Sequence, residues 1–512
     1  MRSKLWPWGA VWLAVAAATA ALVRLPGPAA LDPDEYAAAL YFGHLTHGRR
    51  LEEPLLSAPK PLLELVHGLA WTLAHDWRAG TALTVAAFAL AVTALARAAA
   101  RLAGAPAALA AVLALAGSGA LVLQVARGNS VIWALAGWAV ALDALARPRR
   151  RWGVAAAALL LAALARAEGW LLLPPAALLG LTAWRRGERR ALVLLLPLAA
   201  PLLWLGHDLL LAGDPLFSLK VPERYSDLVS GRTVIPPAEW PGLVGRRYAR
   251  TPALAALALL GVAWLGRRRA WLWLAGLGVI VVGVLALLGV EAARGTYISF
   301  RYYDPADVGV RVLAALGAAW LVTAAATPLG RLARSGRARL PPALPLALAG
   351  AGAAGALTVA AGALAAAACW PLAPADPGVR PALDSSARYS RNTASAVRAL
   401  RPVTRPPESV VIVSGPQRYR VAIELGLPLR RVRDLYLGAL TEPLQQALSG
   451  SVAVYHDSGG DQPRRRFAPL EVTAPGRVGT LAVAPLLSDP GRGLYVLRVG
   501  PPAVDVARSP SD

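Results

Sequence analysis

Apolar residues along this chain run in blocks rather than alternating. Stretches rich in Ala and Leu recur from Trp6 to Cys369, separated by short polar gaps. A helix needs about 20 apolar residues to cross a hydrocarbon core of about 30 Å. The candidate runs are 6–23, 80–96, 105–126, 129–146, 152–165, 169–184, 191–212, 252–266, 270–290, 307–327 and 342–370. The pattern predicts an α-helical polytopic membrane protein with about 11 transmembrane helices. A signal peptide is the alternative for the first run, after the basic MRSK. That run is long for one and has no small-residue cleavage site, so it is read as a retained span.

The segment PLLELVHGLAWTLAHDW (61–77) breaks the pattern. On helical spacing Glu64, His67, Trp71 and His75 share one face, and Leu62, Leu65, Val66, Leu69 and Leu73 the other. Two such faces predict a helix lying in the plane of the outer leaflet, not a span. Basic clusters then fall in alternate gaps: MRSK, RAAAR (97–101), RPRRR (147–151), RRGERR (185–190), RRR (267–269) and RLARSGRAR (331–339). Their only acid is Glu188. The positive-inside rule makes these gaps and the N-terminus cytoplasmic. The other gaps face outward: the loop 24–79, ARGNS (126–130), ARAEG (165–169), 213–251 and 291–305.

Beyond residue 370 the pattern changes. ESVVIVSG, SVAVYHD and LYVLRVG read as strands, and 387–400 and 417–426 as helices. Residues 1–370 are expected to form the membrane module, and 371–512 a small extracytoplasmic α/β domain.

Composition sharpens this reading in two places. The chain is 56% hydrophobic with mean hydropathy +0.48, and its +23 net charge sits largely between apolar runs. There it serves topology and membrane lipids, and no nucleic-acid partner is expected. The single Cys369 excludes a disulfide framework and a cysteine metal site. Only Lys4, Lys60 and Lys220 are lysines among 53 basic residues, so an ammonium at Lys60 or Lys220 is either selected or a chance survivor.

The outward loops carry the candidate chemistry. Asp34 and Glu35 open the first loop in LDPDEYAAAL. They are either the acidic first turn of a helix with Asp32 as N-cap and Pro33 at N1, or a general base and its brace. Glu52 and Glu53 read as solvated loop residues, and His44 and His47 as interfacial structure. Lys60, in SAPKPL, sits between two prolines, which hold its backbone out of a regular helix. A placed ammonium suits a phosphate; attraction to anionic lipid is the plain alternative. Arg166 and Glu168 share the ARAEG turn. Fifteen residues separate it from Arg151, about 22 Å of helix at roughly 1.5 Å per residue, so the turn falls short of the surface in a wet recess. Arg301, Tyr302 and Tyr303 open the span at 307, where the tyrosines also suit the aromatic belt. Arg311 is one turn beyond Asp307 and spaced to pair with it. Hard oxygen ligands at Asp34 or Glu35 leave room for a divalent cation.

Taken in order, these pieces resemble the GT-C glycosyltransferases that use polyprenyl-phosphate sugars, closest to the aminoarabinose-transferase and protein O-mannosyltransferase group. Asp34-Glu35 match that group's acidic pair after the first span. Lys60-Pro61 match its Lys-Pro-Pro element with one proline fewer. RAEG (166–169) matches its Arg-Pro-Glu-Gly turn with Ala167 for proline, and Arg301, Tyr302 and Pro305 its RYxxP entry. AGDPLFSL (212–219) is similar to a loop element of predicted members. The resemblance covers about residues 5–330. It implies inverting transfer of a sugar from a polyprenyl-phosphate donor to a hydroxyl of a lipid, glycan or protein acceptor. Asp34 would be the base, with Lys60, Arg301 and Arg166 on the donor phosphate and Glu168, Tyr302 and Tyr303 in support. A transporter or flippase of a lipid-linked or anionic substrate is the rival reading; it calls for inverted repeats and broken midplane spans, which the sequence lacks. A sensor presenting the tail domain needs far fewer spans.

Overall fold

The computed structural model describes residues 6–24, 33–51, 57–227, 234–296, 300–336, 344–369, 379–404, 409–413, 417–435, 443–457 and 467–502. The side chains of Asp34, Glu35, Arg301 and residues 326–354 lie outside the described residues.

Every predicted apolar run is helical, and polar caps or backbone breaks divide them. After α1 (Trp6–Arg24) come α2 (Pro33–Thr46) and α3 (Pro61–Ala74), then the long α4 (Trp77–Ala116). Helix α4 leaves helical geometry at Ala103 and Gly104, two residues before Pro106. That break separates two of the predicted spans. Ser118 caps α5 (Gly119–Ala126) and Asn129 caps α6 (Ser130–Leu145), each through its side-chain oxygen. The two helices bend by 115° across the ARGNS turn.

Next come α7 (Trp152–Ala165), a 3-10 turn at Ala167–Leu172, and α8 (Leu173–Arg185). A 3-10 stretch, Arg189–Ala199, runs into α9 (Ala200–Ala212), followed by α10 (Phe217–Tyr225) and α11 (Trp240–Ala249). The membrane part closes with α12 (Pro252–Arg267), α13 (Trp271–Gly278), α14 (Val284–Ala293), α15 (Asp304–Gly336) and α16 (Leu344–Cys369). Small residues set the packing. A Cβ on Gly261 or on Gly317 would stand 2.0 Å from a backbone oxygen of the facing helix, so α12 and α15 meet backbone to backbone.

Four of the described helices are long and apolar enough to cross a membrane, or six if each sharply bent pair counts as one span. Breaks and 3-10 stretches shorten several of the predicted runs, and the side chains of α1 and α16 are described only in part. Helix α3 keeps its two faces: Glu64 and His67 are buried against the protein, whereas Leu73 is 81% exposed and Leu65 50%.

The predicted loops sort to two ends. Asp143 takes ion pairs from Arg97, Arg101 and Arg147, so RAAAR and RPRRR share one end. One cavity joins Arg149 and Arg150 to Arg189 and Arg190, and another joins Leu102 to Arg267 and Arg268. MRSK and the side chains of RLARSGRAR lie outside the described residues.

The tail holds α17 (Val379–Leu400) and α18 (Arg418–Leu425) against a six-stranded sheet. Its strands are β1 (Val411–Val413), β2 (Val432–Asp434), β3 (Ala453–Asp457), β4 (Gly476–Val478), β5 (Leu481–Asp489) and β6 (Leu494–Pro502). Their order is β2-β1-β3-β6-β5-β4, parallel among the first three and antiparallel after that. Alternation along β3 sends Ala453 and Tyr455 to the core under the helices and Val454 to the core on the other face. The sequence reading found β1, β3 and β6 and missed β2, β4 and β5; β2 (VRD) and β4 (GRV) each carry charge within three residues and lack the uniform apolar run that marks β1 (VIV).

Candidate active site

The end opposite the arginine clusters gathers residues from five predicted outward loops. The segment before α3 is fixed on both sides of Lys60. The Tyr41 hydroxyl donates to the Ser57 carbonyl, and the Lys60 amide donates to Glu64 Oε1 at 3.0 Å. The Pro59 carbonyl lies 3.4 Å from Ser218 Oγ, in the AGDPLFSL loop. Ser218 is itself locked: its amide and hydroxyl donate to the two oxygens of Asp208, and Trp204 Nε1 donates to the hydroxyl. His207 completes the bracket, 2.6 Å from Glu64 Oε2 and 3.3 Å from Asp208 Oδ1. Burial pushes the Glu64 carboxyl above its usual range, although the hydrogen bond from His207 pulls the other way. A lysine is flexible by nature, so its backbone must be held for the ammonium to stay in one place.

The ARAEG turn packs under this segment. His67 reaches Gly128 of ARGNS through Nε2, 3.1 Å from the carbonyl oxygen, and burial lowers its pKa to about 4. Arg166 grips Glu168 with two hydrogen bonds, Nε to Oε2 at 3.1 Å and Nη2 to Oε1, and gives Nη1 to Ser130 Oγ. A Cβ on Gly169 would lie 2.7 Å from the Ala162 carbonyl oxygen, so the turn folds directly onto the end of α7. Burial raises the Glu168 carboxyl, but the Arg166 guanidinium outweighs it and holds the net value low; the Lys60 charge acts in the same sense.

Arg166 also sits over the Tyr302 ring, 5.6 Å from its centroid, which brings in the RYYDP entry to α15. Tyr303 lies under Arg247 at 4.4 Å. Asp307 takes Arg247 and the Tyr248 hydroxyl, from α11. Arg311 does not pair with Asp307: it is buried and donates to the Ala114 carbonyl, 2.9 Å away. Ala114 belongs to the last turn of α4, where carbonyls run short of intrahelical donors, so a buried guanidinium is well used there. Asp304, absent from the sequence reading, is buried with Oδ2 lacking a hydrogen-bond partner among the described residues.

Asp34 and Glu35 lie in the first turn of α2, which begins at Pro33 as the N1 reading requires. Their side chains, like that of Arg301, lie outside the described residues. The rest of α2 is well anchored. Tyr36, Ala37, Tyr41, Leu211 and Tyr419 form one buried cluster, so the tail domain sits on the helix that begins with the acidic pair. Among the described residues no group of three His, Cys, Asp or Glu side chains is placed to hold a metal ion.

The fold has relatives among solved structures. ArnT from Cupriavidus metallidurans in the apo state matches with a TM-score of 0.54 over 96% of this chain and 98% of that chain, at 15% identity. ArnT bound to undecaprenyl phosphate gives 0.53 with the same coverage and identity. The chain shares the fold of ArnT. No protein-family model matches the sequence, and no curated protein does.

Within this fold Lys60, Arg166, Glu168 and Tyr302 are drawn together, with Tyr303 close by in the same 3-10 turn as Tyr302. Sequence reasoning missed Glu64, His207, Asp208 and Ser218, which hold the lysine segment. Glu64 was assigned only to a polar face. His207 and Asp208 did carry a signal, since an imidazole and a carboxylate inside an apolar run are costly unless paired.

Proposed function

We propose that this chain is an integral membrane glycosyltransferase. It transfers a sugar from a polyprenyl-phosphate carrier to an acceptor hydroxyl on the extracytoplasmic side, with inversion at the anomeric carbon. The fold shared with ArnT supports the transferase class, and the ArnT complex with undecaprenyl phosphate supports the carrier. The observation that carries the reading is Lys60: one of three lysines, in a segment whose backbone is held by the Tyr41–Ser57 and Lys60–Glu64 hydrogen bonds, with its charge acting on Glu168 in the same sense as Arg166.

In the proposed reaction Asp34 accepts the proton of the acceptor hydroxyl as its oxygen attacks the anomeric carbon. The bond from that carbon to the phosphate oxygen breaks, and polyprenyl phosphate leaves with the bonding electron pair. A phosphate leaving group needs charge stabilisation rather than a proton, and Lys60 and Arg301 supply it. Because Glu168 already neutralises Arg166, that pair serves to wall and orient the recess beside Tyr302. Residues 1–370 form the transferase module and 371–512 an extracytoplasmic domain in this reading.

The test is to incubate purified protein with polyprenyl-phosphate sugars and measure free polyprenyl phosphate together with glycosylated acceptor. Lys60→Ala and Arg301→Ala should weaken use of the donor in a folded protein. Lys60→Arg should restore part of it, because a guanidinium is broader and differently hydrated. A folded parent protein that consumes no such donor, or alanine variants that turn it over at the parent's rate, would overturn the assignment.

A further inference from the structure

At the arginine-rich end, the chain treats two basic clusters in opposite ways. Arg97, Arg101 and Arg147 converge on the buried carboxylate of Asp143, so the fold supplies its own counter-ion there. A few residues on, Arg149, Arg150, Arg189 and Arg190 line one cavity of about 720 Å³ with Trp152 and the single acid Glu188. None of those four guanidiniums, nor Glu188, is in an ion pair among the described residues. Four cations drawn around one space repel each other unless an anion enters it. Topology alone needs arginines on this side of the membrane; it does not need them gathered around a cavity.

We propose that this cavity binds the headgroup of an anionic glycerophospholipid. The choice of a lipid over a free phosphate rests on what frames the site. Arg150 lies over the Trp152 ring at 5.3 Å; the ring is buried in the core at the start of α7 and anchors the guanidinium beside the cavity. Val154 in the first turn of α7, and Leu181 and Trp184 in the last two turns of α8, are exposed. They continue from the cavity along the helices that frame it and offer an apolar surface to acyl chains. The starts of α7 and of Arg189–Ala199 also lie at the cavity, and neither has a side-chain cap, so their amide ends add to the positive field. Basic pockets between transmembrane helices are a known way to hold anionic headgroups.

The test is lipid retention by the full-length protein in a neutral maltoside detergent, read by native mass spectrometry during titration with phosphatidylglycerol, phosphatidylcholine or glycerol phosphate. Phosphatidylglycerol should bind at least about ten-fold more tightly than phosphatidylcholine. Arg149→Gln/Arg189→Gln/Arg190→Gln should weaken it about a hundred-fold, at roughly five-fold per cation near the headgroups. The charge-matched control Arg246→Gln/Arg250→Gln/Arg294→Gln, at distant exposed positions, should keep the parent affinity. If the triple variant melts early, Arg189→Gln alone should still show the roughly five-fold loss. Equal retention of the two lipids, or a variant that binds like the parent, would overturn the proposal. Competition by glycerol phosphate at the same concentration as the lipid would overturn it too, by making this a free-phosphate site.

Discussion

The guanidinium of Arg420, in the tail domain, lies 5.7 Å from the centre of the Tyr36 ring on α2. Arg420 also donates to Glu424 at 2.6 Å and to Ser390, and Glu424 accepts the indole N–H of Trp77 at 2.9 Å. Tyr36 packs edge-on against the same Trp77, with ring centroids 4.7 Å apart. Only Glu35 separates Tyr36 from Asp34, so the sheet domain and the start of α4 together fix the helix that presents the proposed base.

Loosening this clamp should therefore cost rate more than binding. Arg420→Met, which keeps bulk but loses the charge and the planar fork, is expected to slow transfer about ten-fold, the effect of losing roughly 1.4 kcal/mol of positioning. Donor affinity should be unchanged and Arg420→Lys intermediate. Single-turnover transfer and equilibrium donor binding on the same preparation check this; a parallel fall in both would point to general unfolding instead.

Asp34→Asn keeps size and capping ability while removing the base. Turnover should fall by about a hundred-fold or more, the usual scale of general-base catalysis, with the melting temperature nearly unchanged. Glu35→Gln should cost less. If Asp34 only starts α2, activity will instead follow any loss of folded protein, and an Asp34→Asn enzyme at the parent's rate would leave the proposed mechanism without its base.

His456 on β3 is buried beside Phe467 and Tyr495, and its ring nitrogens have no hydrogen-bond partner among the described residues. The nearest carboxylate, Glu471, is 3.8 Å away, too far for a hydrogen bond. Burial lowers its pKa to about 4, below the ordinary value of 6.5. The unfolded chain then takes up a proton that the folded domain refuses, so stability is full above about pH 6.5 and declines toward pH 4, by about 3 kcal/mol in total. Hydrogen exchange of the β3 amides at pH 7 and pH 5 should show faster opening at pH 5. His456→Leu should remove most of that difference.

For orientation, the arginine-rich end is expected to face the cytoplasm. In a Cys369→Ser background, Arg149→Cys and Glu188→Cys should resist an impermeant thiol reagent in intact cells. Ser230→Cys and Gly460→Cys should react. Labelling at 149 with protection at 460 would reverse the arrangement.

The sequence by itself determined what depends on local composition. Long apolar runs separated by arginine clusters specify helices and two chemically different ends, because the cost of placing backbone and charge in hydrocarbon is paid residue by residue. The motif order, from Asp34-Glu35 through Lys60 and RAEG to the RYYDP entry, came instead from the family resemblance, which composition alone does not supply. Only the tertiary structure decided how those residues are held. Glu64 meets His207 across 143 positions of chain, and Arg420 reaches Tyr36 across 384; no periodicity encodes such pairings. Arg166 meets Glu168 of its own turn, and Arg311 goes to a helix-end carbonyl rather than to Asp307, because a buried guanidinium takes the partner that packing brings to it.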